Sequence, residues 1–273
     1  MKKNISFNAV VLVSMLLFFQ SCTLFRFAYS PTIQNVPGFT EKNESRITAV
    51  IASPLSGTET NFTFQGAYAV TNHFALTAGI NGTVRSQDEL TYTDGSGISQ
   101  TDIVKYKRNS FDFGAGIFYP VSADKKVFIE AYAGYAFGSN KITDISNNVI
   151  GNYHNSDINR FYLQPMLSIH PSGSSSISTS LRFTSIGYTN IKTTYSSGDL
   201  SSYYLVDIAS RRLTFIEPAL VFSIGSKSAP WIRLQGQINF TFLAGDAQVY
   251  YRSNYFGLGI QFDPVKAIQS SKH

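Results

Sequence analysis

The sequence predicts an all-β fold, a single closed antiparallel up-and-down β-barrel of about ten strands that crosses a membrane. Residues 231–242 carry the strongest signal, because apolar or small residues alternate there with polar residues. Successive side chains of a strand point to opposite faces, so one face suits lipid and the other suits water or polar partners. The length agrees, since a tilted strand needs about 9–11 residues to cross a bilayer and a soluble strand usually has about 5–6.

The composition fits this class. Only 14% of the residues are charged, against about 25% in typical soluble domains, and the mean hydropathy is -0.03. Strands with one apolar and one polar face average to such values. The net charge of +5 comes without a cluster of Lys and Arg or a recognisable binding module, so nucleic acid is not expected as a partner.

The N-terminus predicts a lipoprotein signal peptide over residues 1–21. Lys2 and Lys3 precede an apolar run, 9–19, that is too short to span a bilayer comfortably. The run ends in F-F-Q-S-C, which resembles the lipobox of bacterial lipoproteins and implies cleavage before Cys22 and a lipid on it. The alternative is a buried or incidental cysteine behind an ordinary signal peptide. Cys22 is the only cysteine, which excludes an intrachain disulfide.

Residues 22–44 are expected to form a lipid-anchored periplasmic tether, because they show no clean period and contain Pro31 and Pro37. Within them, Y-S-P-T-I-Q-N-V-P-G-F at 29–39 resembles the opening of a family of small bacterial outer-membrane β-barrel lipoproteins of largely unknown function. The resemblance continues loosely through the strands. It implies a fold and an outer-membrane location, and nothing about activity.

The barrel is expected over residues 45–263, with a periplasmic C-terminal tail at 264–273. Its connections alternate between short turns and long polar loops, as in outer-membrane barrels with short periplasmic turns and longer outer loops. An even number of strands puts both termini on the periplasmic side, where a lipid on Cys22 would hold the N-terminus. The ten candidate strands are 45–53, 60–70, 73–85, 108–119, 126–137, 159–170, 177–188, 211–223, 231–242 and 254–262.

Inward-facing polar residues predict a lumen that is filled by side chains. A barrel of this size is narrow, and buried charges need partners, so acids and arginines of adjacent strands are expected to form an internal network. Inward glycines such as Gly114 and Gly257 would leave room for large lumen side chains. The alternative is a narrow channel for small solutes, lined by arginines. The expected network consists of Asp112, Glu130, Arg160, Arg182, Glu217 and Arg233.

Cations at the outer ends of the strands suggest a lipopolysaccharide-binding rim, in which they would neutralise lipid phosphates. The alternative is a set of ordinary solvated loop ends, balanced by nearby acids such as Asp88 and Glu89. The candidate rim residues are Arg85, Lys107, Arg108, Arg211 and Arg212.

Three functional hypotheses follow. The first is a structural or interaction protein of the outer membrane, an accessory barrel that contacts outer-membrane lipids, lipopolysaccharide and an outer-membrane protein partner. The second is the narrow channel. The third is a lipid-modifying enzyme or protease, for which the pair of His154 and Asp157 in an outer loop is the candidate, although no catalytic motif matches. No metal-ligand spacing is present, and no cofactor is expected.

Overall fold

The computed structural model describes residues 24–55, 58–93, 95, 97–172, 174–226 and 228–270. Cys22 lies outside them. The strands are β1 Ser45–Ser53, β2 Thr60–Ala69, β3 Phe74–Arg85, β4 Gln87–Thr93, β5 Ser99–Pro120, β6 Val127–Ser146, β7 Val149–Ser172, β8 Ser175–Thr193, β9 Leu213–Gly225, β10 Ile232–Phe240, β11 Phe242–Ala244 and β12 Asn254–Phe262. The short helices are α1 Ser197–Ser202, α2 Asp207–Ser210 and α3 Pro264–Ser270.

The strands close into one antiparallel barrel. β1 pairs with β2 on one side and with β12 on the other, and β12 pairs with β10, which pairs back to β9. β4 pairs with β5 off this circle, and β11 continues the course of β10 along β9. Ten strand positions therefore form the wall, which confirms the predicted fold class.

Six of the ten candidate strands match the observed bounds within two residues, and the four from β5 to β8 are much longer than expected. Residues 87–93, 99–107 and 138–158, which were expected to lie in loops, mostly continue the sheet beyond the apolar belt. The turn between β6 and β7 is made by Asn147 and Asn148, both with positive φ (48° and 65°), as a type I′ hairpin turn requires. In these extensions the outward positions are polar, such as Lys105 and Lys141, whereas inward Val104, Tyr106 and Ile142 are buried in an apolar cluster. The apolar-out, polar-in alternation therefore does not continue into them, so the pattern missed these extensions.

The barrel is polar inside and apolar outside. In β5 the outward Phe111 and Phe113 are 40% and 48% exposed, whereas the inward Asp112 between them is 6% exposed. The same alternation continues in β12, where Phe256, Leu258 and Ile260 face outward. An apolar outer surface around a polar interior is the arrangement of barrels that span membranes. Among the described helices, none has both the length and the apolar character needed to cross a membrane.

The expected periplasmic tether is wrong for the described part of residues 22–44. Residues 24–40 lie inside the barrel and 41–44 lead from its turn end into β1; we call residues 24–44 the lumen segment. Ile33 and Phe39 are 3% and 0% exposed, which an extended tether in water could not achieve. The expected C-terminal tail also differs, because residues 264–270 form α3.

Candidate functional site

The lumen segment runs through the barrel from the end with the long connections (the loop end) to the end with the short ones (the turn end). At the loop end, Ala28 N donates to Tyr250 O at 2.8 Å and Arg252 N donates to Tyr29 O at 3.0 Å. At the turn end, Thr40 N donates to Glu44 Oε2 at 2.7 Å, just before β1 begins. The chain therefore enters the lumen at the loop end and leaves it at the turn end.

Aromatic side chains of the lumen segment pack against the inner wall. The Tyr29 ring stacks on Phe215 with centroids 4.2 Å apart, and the fully buried Phe39 packs against Phe118 at 5.7 Å. Between them, Ile33 joins an apolar cluster with Val50. Three separate levels of the lumen are thus packed with apolar contacts.

Glu217 of β9 lies at the centre of the lumen network. Its fully buried carboxylate accepts hydrogen bonds from Tyr29 Oη at 2.6 Å, Arg182 Nε at 2.6 Å and Thr184 Oγ1 at 2.7 Å. Arg182 lies directly opposite Glu217 in the register of β8 and β9. A buried carboxylate with a charged partner and two hydroxyl donors has its hydrogen-bonding capacity largely satisfied.

Side chains of the wall also donate hydrogen bonds to backbone carbonyls of the lumen segment. Arg182 Nη2 donates to Thr32 O at 2.7 Å, Gln65 Nε2 to Ile33 O at 2.9 Å and Gln164 Nε2 to Asn35 O at 2.8 Å. An irregular segment has no ladder of its own, so its buried carbonyls need such donors. The inward polar residues therefore serve the segment as well as one another.

A second cluster of charges closes the loop end. Arg108 Nη1 lies 3.1 Å from Glu59 Oε1, and Arg252 Nη2 lies 2.8 Å from Asp88 Oδ2. Arg26 of the lumen segment pairs with Asp144 of β6 at 2.8 Å. Burial raises the pKa of Glu59, but the neighbouring Arg108 and hydrogen-bond donors outweigh it and hold the pKa at about 2. This carboxylate is charged at neutral pH and joins the segment, the loops and the wall.

A third cluster lies at the turn end around Glu44, which precedes β1. Glu44 Oε1 is 3.2 Å from Arg46 Nη2 and 2.8 Å from Lys266 Nζ of α3. Arg46 also pairs with Asp263. Burial raises the pKa of Glu44, but Arg46 and Lys266 outweigh it and lower the pKa to about 2. These ion pairs join the exit of the lumen segment to the end of the last strand.

The six residues of the expected network are all buried, yet only Arg182 and Glu217 bond to each other. Asp112 accepts from Asn81 Nδ2 at 2.9 Å, and Glu130 accepts from Ser168 Oγ at 2.7 Å. Arg160 donates to Thr32 Oγ1 of the lumen segment at 3.0 Å. The sixth member, Arg233, lies near the turn-end charges.

The structure does not bring the five expected rim residues into one surface. Arg108 points inward to Glu59, and Arg211 is engaged by Asp207 and Asp246, each at 2.7 Å. Arg212 Nε donates to Ser185 Oγ at 3.0 Å. Arg85 and Lys107 are exposed.

The hypothetical pair of His154 and Asp157 is not assembled. His154 points into the interior and is 1% exposed, with neither ring nitrogen hydrogen-bonded. Asp157 lies on the outer face, where it accepts from Asn190 Nδ2 at 2.7 Å. Residues an odd number of positions apart on a regular strand face opposite sides, which explains the separation. Across the described residues, no group of His, Cys, Asp and Glu is arranged to hold a metal ion.

Sequence reasoning missed the lumen segment, its partners Glu59 and Arg252, and the pairing of Arg252 with Asp88. One signal was available, because residues 24–39 contain a single charge, Arg26, among many aromatic and aliphatic side chains. An exposed tether would expose these side chains to water at a cost in free energy. The composition of this stretch therefore favours a buried segment.

The space left inside the lumen is small. A cavity of about 50 Å³ remains beside Tyr29, Arg108 and Tyr255. That volume could hold a few water molecules, each of which needs about 10–15 Å³ by this kind of measure. A wider opening of about 640 Å³ lies at the turn end, outside the layer of Phe128 and Arg46. At the level of Tyr29, the described lumen therefore leaves room for a few water molecules.

Three solved barrels show a distant structural similarity to the chain. An outer-membrane channel from Pseudomonas putida F1 has 10% identity and a TM-score of 0.45, over 84% of this chain and 100% of the other. The translocator domain of the autotransporter NalP from Neisseria meningitidis has 9% identity and a TM-score of 0.43, over 82% and 88%. The NanC porin has 10% identity and a TM-score of 0.36, over 80% and 98%.

With TM-scores below 0.5, these similarities establish neither a family nor a function for this chain. No protein-family model matches it, and no curated protein matches it either.

Proposed function

We propose that the protein is an outer-membrane β-barrel closed by its own N-terminal segment, with a structural or interaction (accessory) role. The observation that carries this proposal is the path of residues 24–44 through the lumen, with ion pairs at both ends and Glu217 at the centre. An open pore needs a lumen that water fills, and here side chains and the segment take that space. No catalytic role is part of the proposal.

Conductance in planar bilayers tests the closed lumen. We expect the full chain to insert without stepwise currents, and a variant that lacks residues 24–39 to conduct. Stepwise currents from the full chain would overturn the proposal and favour the narrow channel. If the deletion variant fails to fold, the full chain still decides the question.

The interaction role is supported by the long strands beyond the apolar belt. The tip of the β6–β7 hairpin presents Val149 and Ile150, which are 68% and 71% exposed. Exposed apolar side chains at the end of a projecting hairpin suit a protein partner at the cell surface. Cross-linking and co-purification from outer membranes should give a stoichiometric outer-membrane protein partner that is lost in Val149→Ser/Ile150→Ser. A wild-type barrel that purifies alone after cross-linking would count against this role.

We also propose that Cys22 carries lipid, as its lipobox-like context suggests. Because Leu24 enters at the loop end, two residues after Cys22, such a lipid would lie at the loop end, in the outer leaflet if the short turns are periplasmic. This position replaces the expected periplasmic anchor. Metabolic labelling with a clickable palmitate analogue should label the wild-type protein but not the Cys22→Ala variant. Equal labelling of both would contradict lipidation at this residue.

A further inference from the structure

We propose that Lys107, Lys141 and Lys192 form an outward-facing site for the phosphate groups of an outer-leaflet glycolipid, namely the lipid A part of lipopolysaccharide. The proposal rests on the proposed outer-membrane location. It differs from the rim expected from sequence, because two of the three lysines were not in that set. We call the three residues the lysine row.

The lysine row follows from strand register. Lys107 of β5 lies directly opposite Lys141 of β6. Lys141 lies opposite Asn155 of β7, and Asn155 lies opposite Lys192 of β8. The three lysines are exposed, so one line across four strands presents three ammonium groups and one amide to the outside. Neighbouring strands are about 4.8 Å apart, which puts Lys107 and Lys141 within reach of one phosphate.

The lysine row lies next to the apolar belt on the loop-end side. Phe111 and Phe137 face each other across β5 and β6, four residues below Lys107 and Lys141 on the same outer face. Four residues of a strand rise about 13 Å, less when the strand is tilted. The lysines therefore stand where the headgroups of a surrounding bilayer would begin, above side chains that suit its acyl chains.

The positive charges of the lysine row favour the binding of an anion. Like charges directly opposite each other on a sheet repel and destabilise the pairing. Within the described part of the chain, the ion pairs include none of the three lysines. The acid that lines the cleft beside the row, Asp157, is hydrogen-bonded by Asn190. Three cations against one acid leave an excess positive charge that lipid phosphates would neutralise.

The surface beside the row has a suitable shape. An open cleft of about 520 Å³ lies there, and its walls carry the amide and hydroxyl groups that hydrogen-bond phosphate oxygens. Its polar lining residues include Ser139, Lys141, Asn155, Asp157, Asn190 and Lys192. Arg212, at the edge of the same outer face, is already held by Asn159 and Ser185 and lies over the Phe161 ring. Unlike Arg212, the three lysines are exposed and take part in none of the ion pairs among the described residues, so they remain available to a lipid.

The test compares the wild type with Lys107→Gln/Lys141→Gln/Lys192→Gln, by native mass spectrometry or electrophoretic shift with purified lipid A. Lys125→Gln/Lys126→Gln, two exposed lysines at the turn end, is the matched control. We expect at least tenfold weaker lipid A binding by the triple variant, wild-type binding by the control, and little binding of dephosphorylated lipid A by any of them. Heat-modifiability shows that each barrel is folded.

Two results would overturn the site. One is equal binding of lipid A by the triple variant and the wild type, and the other is equal binding of the phosphorylated and dephosphorylated lipids. Displacement of lipid A by an equal concentration of inorganic phosphate would also overturn the proposed lipid site. It would show that the three lysines bind a free anion. Conductance measurements test the closed lumen separately. The lipid A site and the closed barrel can therefore each be disproved without the other.

Discussion

Arg182 and Glu217 face each other across β8 and β9, and the Arg182 Nε lies 2.6 Å from the Glu217 Oε2 inside the barrel. Both residues also bond to the lumen segment, Glu217 to the Tyr29 hydroxyl and Arg182 to the Thr32 carbonyl. This pair therefore joins the wall to the segment that fills it.

Replacing Glu217 by Gln should destabilise the barrel strongly. The variant leaves the Arg182 guanidinium buried without its counter-charge, which typically costs about 3–5 kcal/mol. Thermal or denaturant unfolding in detergent, followed by heat-modifiability, measures the change. Glu89→Gln, at an exposed loop-end acid, is the matched control and should stay close to the wild type. A stable Glu217→Gln barrel would show that the pair is not required to hold the lumen together.

Stability should fall as the pH drops through the titration range of Glu44. Arg46 and Lys266 lower the folded-state pKa to about 2 against burial, whereas the ordinary value is 4.5. A depressed carboxyl pKa stabilises the fold above the unfolded-state pKa, and this contribution is lost progressively as the pH falls from about 4.5 to about 2. Unfolding midpoints between pH 6 and pH 3 should decline less steeply for Glu44→Gln, which starts from a lower midpoint. Parallel curves for the two proteins would exclude this group as the cause.

A methyl group at Gly134 should be poorly tolerated. A Cβ at this inward position of β6 would overlap the Tyr162 ring, which occupies the space that Gly134 leaves. Overpacking of this kind costs about 1–3 kcal/mol. Gly66→Ala is the control, since a Cβ there meets nothing within 4 Å. Unfolding measurements should rank Gly134→Ala well below Gly66→Ala, and a Tyr162→Leu replacement should restore part of the loss. Equal stability of the two alanine variants would contradict this packing.

The loop end should face the cell exterior. In a Cys22→Ala background, which has no other cysteine, a membrane-impermeant maleimide should label Ser201→Cys of α1 on intact cells. Lys125→Cys, in the turn between β5 and β6, should react only after the outer membrane is opened. The reverse labelling pattern would show that the barrel has the opposite orientation in the membrane. The lysine row would then lie on the periplasmic side.

The presence of the ten wall strands, and the faces of the regular ones, could be predicted from the sequence alone, although the full length of β5 to β8 could not. In β10 and β12 the alternation of apolar and polar residues is a local property, because a strand in a membrane barrel meets lipid on one side wherever it lies in the circle. Gln235 and Gln237 could thus be placed inward, and Leu234 outward, without knowledge of any partner. The bounds of β1 and β12 follow the same pattern.

What fills the lumen depends on contacts between residues that are far apart in the sequence. Thr32 is held by Arg160 and Arg182, which are 128 and 150 residues away in the chain, and no period within residues 24–44 encodes such contacts. An irregular segment becomes buried when a closed wall supplies donors and acceptors for its backbone at matching positions. The lysine row has the same origin, since Lys107, Lys141 and Lys192 become neighbours through the register of four strands.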